Sequence, residues 1–205
     1  MVIKQSRSAP VMRAVLDAVI ERLNDGDESL IRIPEICEAT GVNYGSVYHH
    51  FGSRDGVIDA AYELMFISMA QEDITALRRI SDMSHSIEEY VVAMQPLITR
   101  LSADGERRAR HAWRVRIVAA AQTRPGLRQL IGPAQAGVTN ELVGVAQYGQ
   151  DQGWLRRDVS ARSIAVLVQV LVFGRTLDDI STEPVDQEEW EVMVVALFAG
   201  LLNQD

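Results

Sequence analysis

Apolar residues fall at helical intervals almost from the start of the chain. Met12, Val15, Leu16, Val19 and Leu23 share one stripe and predict a helix over 11–24. Asn24-Asp25-Gly26-Asp27 breaks it. A second helix starts near Pro34, whose missing N–H costs nothing in a first turn. Ile33, Ile36 and Cys37 face inward, and Gly41 stands in the glycine position just past a helix end. Asn43 is placed to cap a third, short helix that Gly52-Ser53 terminates.

Beyond Ser53 the period stays helical and no strand pattern appears. Residues 54–80 carry Val57, Ile58, Ala61, Leu64, Met65, Ser68 and Met69 along one stripe. Ser81–Ser86 is a polar break, and Ile87–Leu101 is helical with a kink expected at Pro96. Asp104-Gly105 interrupts again before a helix over Arg107–Thr123. Turns are expected at Arg124-Pro125-Gly126 and at Gly132-Pro133, followed by a helix over Ala134–Gly149. Two very apolar helices close the chain, at about 161–179 and 187–202. The sum is an all-α protein of about nine helices. A three-helix unit occupies 1–55 and a larger helical domain 56–205.

The last two helices are apolar over more than one face. Ile164–Val168 and Val170–Phe173 are broken only by Gln169, and Met193–Phe198 repeats the feature. Such a helix is buried on both sides. One side can be its own domain and the other a second copy, giving a four-helix bundle across a homodimer; the interior of a single domain would also account for it.

Composition narrows the classes. The chain has 205 residues, of which 47% are hydrophobic and 6% aromatic, so its core is aliphatic. Cys37 is the one cysteine, which excludes an internal disulfide. The N-terminus lacks the apolar run of a signal peptide, and no apolar run is long enough to span a bilayer. A cytoplasmic protein with no membrane association is expected. The net charge of -8 opposes non-specific wrapping of nucleic acid but permits a local contact patch.

That patch is the third helix. Tyr44, Val47, Tyr48 and Phe51 form one stripe, with Val47 and Phe51 as anchors. Asn43, Gly45, Ser46, His49 and His50 lie opposite: small or hydrogen-bonding groups with no carboxylate. Gly45 costs about 1 kcal/mol against alanine inside a helix, a cost consistent with close approach of the backbone to DNA. In a helix-turn-helix the second helix of the motif enters the major groove while the first crosses the backbone.

The run Ile33 to Asp55, with Tyr-His-His-Phe-Gly-Ser after the Gly41-Val42 turn, resembles the DNA-binding domain of the TetR family of transcriptional repressors. The resemblance implies that Tyr44, Gly45 and Tyr48 meet base edges, and that Ser46, His49 and His50 hold phosphates. Asn43 and Arg32 join this face, and Arg54 stands at the phosphate position normally held by lysine. Arg32 replaces a hydroxyl capping residue, and Cys37 replaces an alanine, as a small core residue or a redox sensor. The family further implies a dimer on double-stranded operator DNA, with recognition helices roughly 34–36 Å apart. A small molecule in the C-terminal domain would change that spacing through the helix that starts at Arg54.

The candidate effector residues are Phe66, Met69, Tyr90, Met94, Leu97, Trp113, Ile117, Tyr148 and Phe173; plain core is the simpler reading of each. An inward-facing arginine from Arg107–Arg116 would favour an anionic effector; a solvated face is the simpler reading of that helix. No histidine has a partner at metal-ligand spacing, so neither metal nor cofactor is expected. An all-α enzyme lacks a visible nucleophile–base pair. A helical interaction protein is the competing reading, because residues 1–55 hold six Lys/Arg against eight Asp/Glu.

Overall fold

A computed structural model describes residues 8–25, 28–98 and 105–203. Among the described residues there are nine α-helices: α1 (Ser8–Asp25), α2 (Ile33–Thr40), α3 (Tyr44–Phe51), α4 (Arg54–Met83), α5 (Ile87–Ile98), α6 (Gly105–Thr123), α7 (Pro125–Asp151), α8 (Ala161–Asp178) and α9 (Gln187–Ala199). The extended backbone is limited there to a lone antiparallel bridge between Leu155 and Leu202.

The chain divides into two compact units. The first holds residues 1–68 and 121–131, the second residues 69–120 and 132–205. In the first unit α1 packs on α2 and α2 on α3. Val15, Val19, Ile33, Ile36, Val47, Val57 and Ile58 are among its fully buried side chains, joined by Leu127 from the α6–α7 corner. The stripe expected on the first helix, from Met12 to Leu23, is buried except for the half-buried Leu16.

In the second unit the core runs through Leu77, Ile80, Tyr90, Val138, Leu142, Val145, Ile164, Val168 and Val194. Ser160 caps α8 by accepting from Ser163 N, and Asp186 caps α9 by accepting from Glu188 N.

Several boundaries differ from expectation. The turn expected at Gly132-Pro133 does not form, and Pro133 lies inside α7. Leu127 and Ile131 are buried on one side of the proline and Val138 and Leu142 on the other. These anchors keep one helical register and offset the roughly 3 kcal/mol that an interior proline costs. Helix α4 runs into the polar segment as far as Met83, and α6 already begins at Gly105. Helix α5 includes Pro96 and ends at Ile98, while Leu101 lies outside the described residues. Helix α9 stops at Ala199 because Leu202 turns to pair with Leu155.

Candidate nucleic-acid interface and cavities

The α2–α3 corner is built from local rules. Arg32 sits at the α2 N-cap with φ -113°, and its side chain caps nothing. Gly41 closes α2 at φ 68°, a left-handed conformation that favours glycine. Asn43 then caps α3, its Oδ1 accepting from Gly45 N at 2.8 Å. Val47 is fully buried and fixes the helix to its unit.

With Val47 inward, the opposite face is set. Asn43, Tyr44, Gly45, Ser46, His49 and His50 are exposed, and Tyr48 and Phe51 are half-buried. The Tyr44 and Tyr48 rings stand 4.5 Å apart between centroids. The hydrogen bond with Tyr48 pushes the Tyr44 phenol above its ordinary pKa. A β-carbon on Gly45 would lie 3.1 Å from Asn43 Oδ1, so the glycine also relieves crowding at the cap.

Arg54 is engaged in the fold. Its Nε donates to Ile31 O at 3.0 Å, Nη2 donates to Glu28 O, and Nη1 lies 3.3 Å from Asp55 Oδ1. The same unit holds an ionic knot that the sequence did not reveal. Arg124 Nη1 donates to Asp59 Oδ1 at 3.0 Å and Nη2 to Glu28 Oε1, while Tyr62 OH donates to Glu28 Oε2 at 2.9 Å. Cys37 is buried, and burial raises its pKa, which keeps it a thiol.

Among the described residues of the second unit lie a cavity of about 340 Å³ and another of about 260 Å³. Leu142 and Val168 line both. The larger has a polar wall of Glu72, Asp73, Arg110 and Arg114, with Gln135 and Gln169 also lining it. Arg110 donates to Glu72 and, at 3.1 Å, to Asp73, and Arg114 donates to the other Asp73 oxygen. The smaller cavity is almost entirely apolar.

Of the effector candidates chosen from sequence, Phe173 lines the larger cavity and Tyr90 and Met94 the smaller. Phe66, Met69 and Ile117 are buried and line neither, nor do Trp113 and Tyr148. Tyr148 instead donates to Ser84 O at 2.6 Å. The Leu97 side chain lies outside the described residues. Gln135 and Gln169 line the larger cavity without a local sequence signal for it, although Gln169 is the one polar residue between Ile164 and Phe173. A lone amide in so apolar a run marks a place where a partner is needed.

Helices α8 and α9 expose apolar side chains: Val166 and Val170 on one, Val192, Met193, Val195 and Leu197 on the other. Among the described residues no helix is long and apolar enough to cross a membrane.

Residues 31–61 match the family model described as "Bacterial regulatory proteins, tetR family". The HTH-type transcriptional regulator UidR of Escherichia coli K12 is 23% identical over 202 residues, covering 97% of this chain and 96% of that protein. Salmonella enterica GusR has a solved structure with TM-score 0.66 at 20% identity, covering 97% of this chain and 98% of that one. A transcriptional regulator from Saccharomonospora viridis, solved in complex with choline, gives TM-score 0.69 at 14% identity, over 96% and 100% of the two chains. At these identities the solved structures show the shared fold.

Proposed function

We propose that this chain, a helix-turn-helix transcriptional regulator of the TetR family, is a cytoplasmic, non-enzymatic repressor. It holds double-stranded operator DNA as a homodimer and lets go when a small molecule enters its second unit. The observation that carries this reading is the outer face of α3. Six consecutive or near-consecutive positions there are exposed, and none is a carboxylate in a chain of net charge -8.

Tyr44, Gly45 and Tyr48 are assigned to base edges, and Arg32, Asn43, Ser46, His49 and His50 to phosphates. Base contacts specify sequence, whereas phosphate contacts set position. The acidic balance of the chain means that affinity comes from few placed contacts per half-site, doubled by a dimer. Arg54 serves this interface mainly by fixing the start of α4. The guanidinium edge left for a phosphate, Nη1, is the one beside Asp55.

The exposed valines of α8 and α9 support a dimer through these two helices, because apolar side chains exposed several to a helix are surface that a partner can cover. The cavities of the second unit support an effector there, and a protein of the same fold holds choline. The first unit then reads DNA and the second senses. An effector works only if it prefers the released state.

Selection from a random pool of duplexes with the purified chain tests the reading. An enriched two-fold symmetric sequence is expected, with affinity falling on added salt by about 0.9 log units per log unit of salt for each phosphate neutralised. A folded dimer that enriches no sequence at low salt sinks the proposal.

A further inference from the structure

We propose, resting on the effector-release reading above, that the larger cavity takes an uncharged amphiphile. Its head both donates and accepts hydrogen bonds, as a carboxamide or hydroxyl does, and its tail is aliphatic.

The absence of charge follows from the polar wall. Two carboxylates, Glu72 and Asp73, face two guanidiniums, Arg110 and Arg114, and all four are joined in ion pairs. These four side chains carry no net formal charge before any ligand arrives, and His111 lines the cavity beside them. A charged head would either find no free counter-ion in this wall or break one of these pairs, of which Arg114 with Asp73 is the more buried and so the costlier to separate.

The polar head follows from the amides of α7 and α8. Gln135 Nε2 donates to Gln169 Oε1. Gln169 Nε2 is committed in turn to Ala165 O at 3.2 Å and to Thr139 Oγ1 at 3.4 Å. Thr139 donates to Gln135 O at 3.0 Å and lies behind the two amides. Gln135 Oε1 is left with no partner among the described residues, at a position lining the cavity. A purely apolar occupant would strip water from that oxygen and give nothing back, a cost that a donor on the ligand removes.

The tail follows from the remaining lining. Leu77, Ile80, Val138, Leu142, Val172 and Phe173 leave aliphatic and aromatic surface on the other walls. A volume of about 340 Å³ falls at the small end of the roughly 300–1,000 Å³ usual for small-molecule sites.

Octanamide, octanoate and octylammonium share one tail and differ in head charge, so they separate these terms. Calorimetric titration of the full chain should show octanamide binding at least about tenfold tighter than either ion. Gln135→Leu should erase that preference. Gln135→Glu, nearly isosteric, adds one unmatched negative charge and should turn the preference toward octylammonium. The proposal is overturned if either ion matches octanamide on the unmodified chain, if no probe saturates, or if both variants keep the original ranking. Operator release is read separately by anisotropy of labelled DNA. Octanamide bound tightly with DNA still held supports the cavity chemistry and overturns release, whereas an ion that wins and releases DNA does the reverse.

Discussion

A β-carbon on Gly56 would lie 2.0 Å from the carbonyl oxygen of Phe51. Gly56 sits in the first turn of α4, and its N–H donates to Ser53 Oγ at 3.0 Å. The end of α3 and the start of α4 therefore meet backbone to backbone. Gly56→Ala must push them apart, at about 1–3 kcal/mol for overpacking of this kind. A lower melting temperature and weaker operator binding are expected together. A variant that melts like the parent would contradict the close approach.

Tyr44 is 47% exposed and stands in the first turn of α3, beside the Asn43 cap. Its hydroxyl stands at the edge assigned to bases. Tyr44→Ala should relax selectivity at one operator position by about 1–3 kcal/mol, with the melting temperature little changed. Binding measured against a panel of single-base operator variants checks this. Undiminished discrimination at every position would remove Tyr44 from the reading face.

Arg54 contributes through the carbonyls of Ile31 and Glu28. Arg54→Ala leaves both without that donor, and about 1–3 kcal/mol of stability should go with it. DNA binding should fall alike on every sequence, because the whole corner carrying α3 loosens. Urea midpoints and the same operator panel are read together. Loss at a single base position, with stability intact, would assign Arg54 a base contact instead.

The difference between Asn43 and Gln135 shows what the sequence could carry. Asn43 caps the helix that begins next to it, so its role is written within two residues, as are the Gly41 turn and the buried Val47. Gln135 matters because Gln169 on another helix meets it, and no local pattern encodes that meeting. The same limit explains Pro133: its neighbours argued for a turn, while Leu127 and Val138, buried on either side, hold one helix. Phe66 and Ile117 have the right chemistry for a pocket but fill the core. Helix count and the exposed outer face of α3 followed from local chemistry, whereas the cavities arise from packing between distant segments.

Tyr90 gives the second unit a pH dependence. Its hydroxyl donates to Val145 O at 3.0 Å, and burial pushes the phenol well above its ordinary range. The folded-state value is raised above the unfolded one, near 10. The contribution to stability is thus complete below pH about 10 and is lost as pH climbs from there toward the folded value. Tyr90→Phe removes that component, so its stability should decline less steeply with pH from about 10 upward. Parallel curves for the two proteins would show that Tyr90 ionises as freely folded as unfolded.

Val166 and Val170 lie one turn apart on α8, and Val192 and Val195 one turn apart on α9. All four are at least 46% exposed. If a second copy covers them, Val170→Arg places a charge where the partner would have to desolvate it without a counter-ion. Sedimentation should then find a monomer at concentrations where the parent is a dimer. Helical content should stay unchanged, since Val170 faces away from its own core. Val92→Arg is the control: Val92 is 67% exposed on α5, and a charge there should leave the dimer whole. Operator affinity should fall only in the first variant, because a half-site holds one copy of α3 and an acidic chain has little bulk attraction to replace the second. A parent that is itself monomeric, or two variants that dimerise equally well, would move the interface away from these helices and with it the two-fold symmetry expected of the operator.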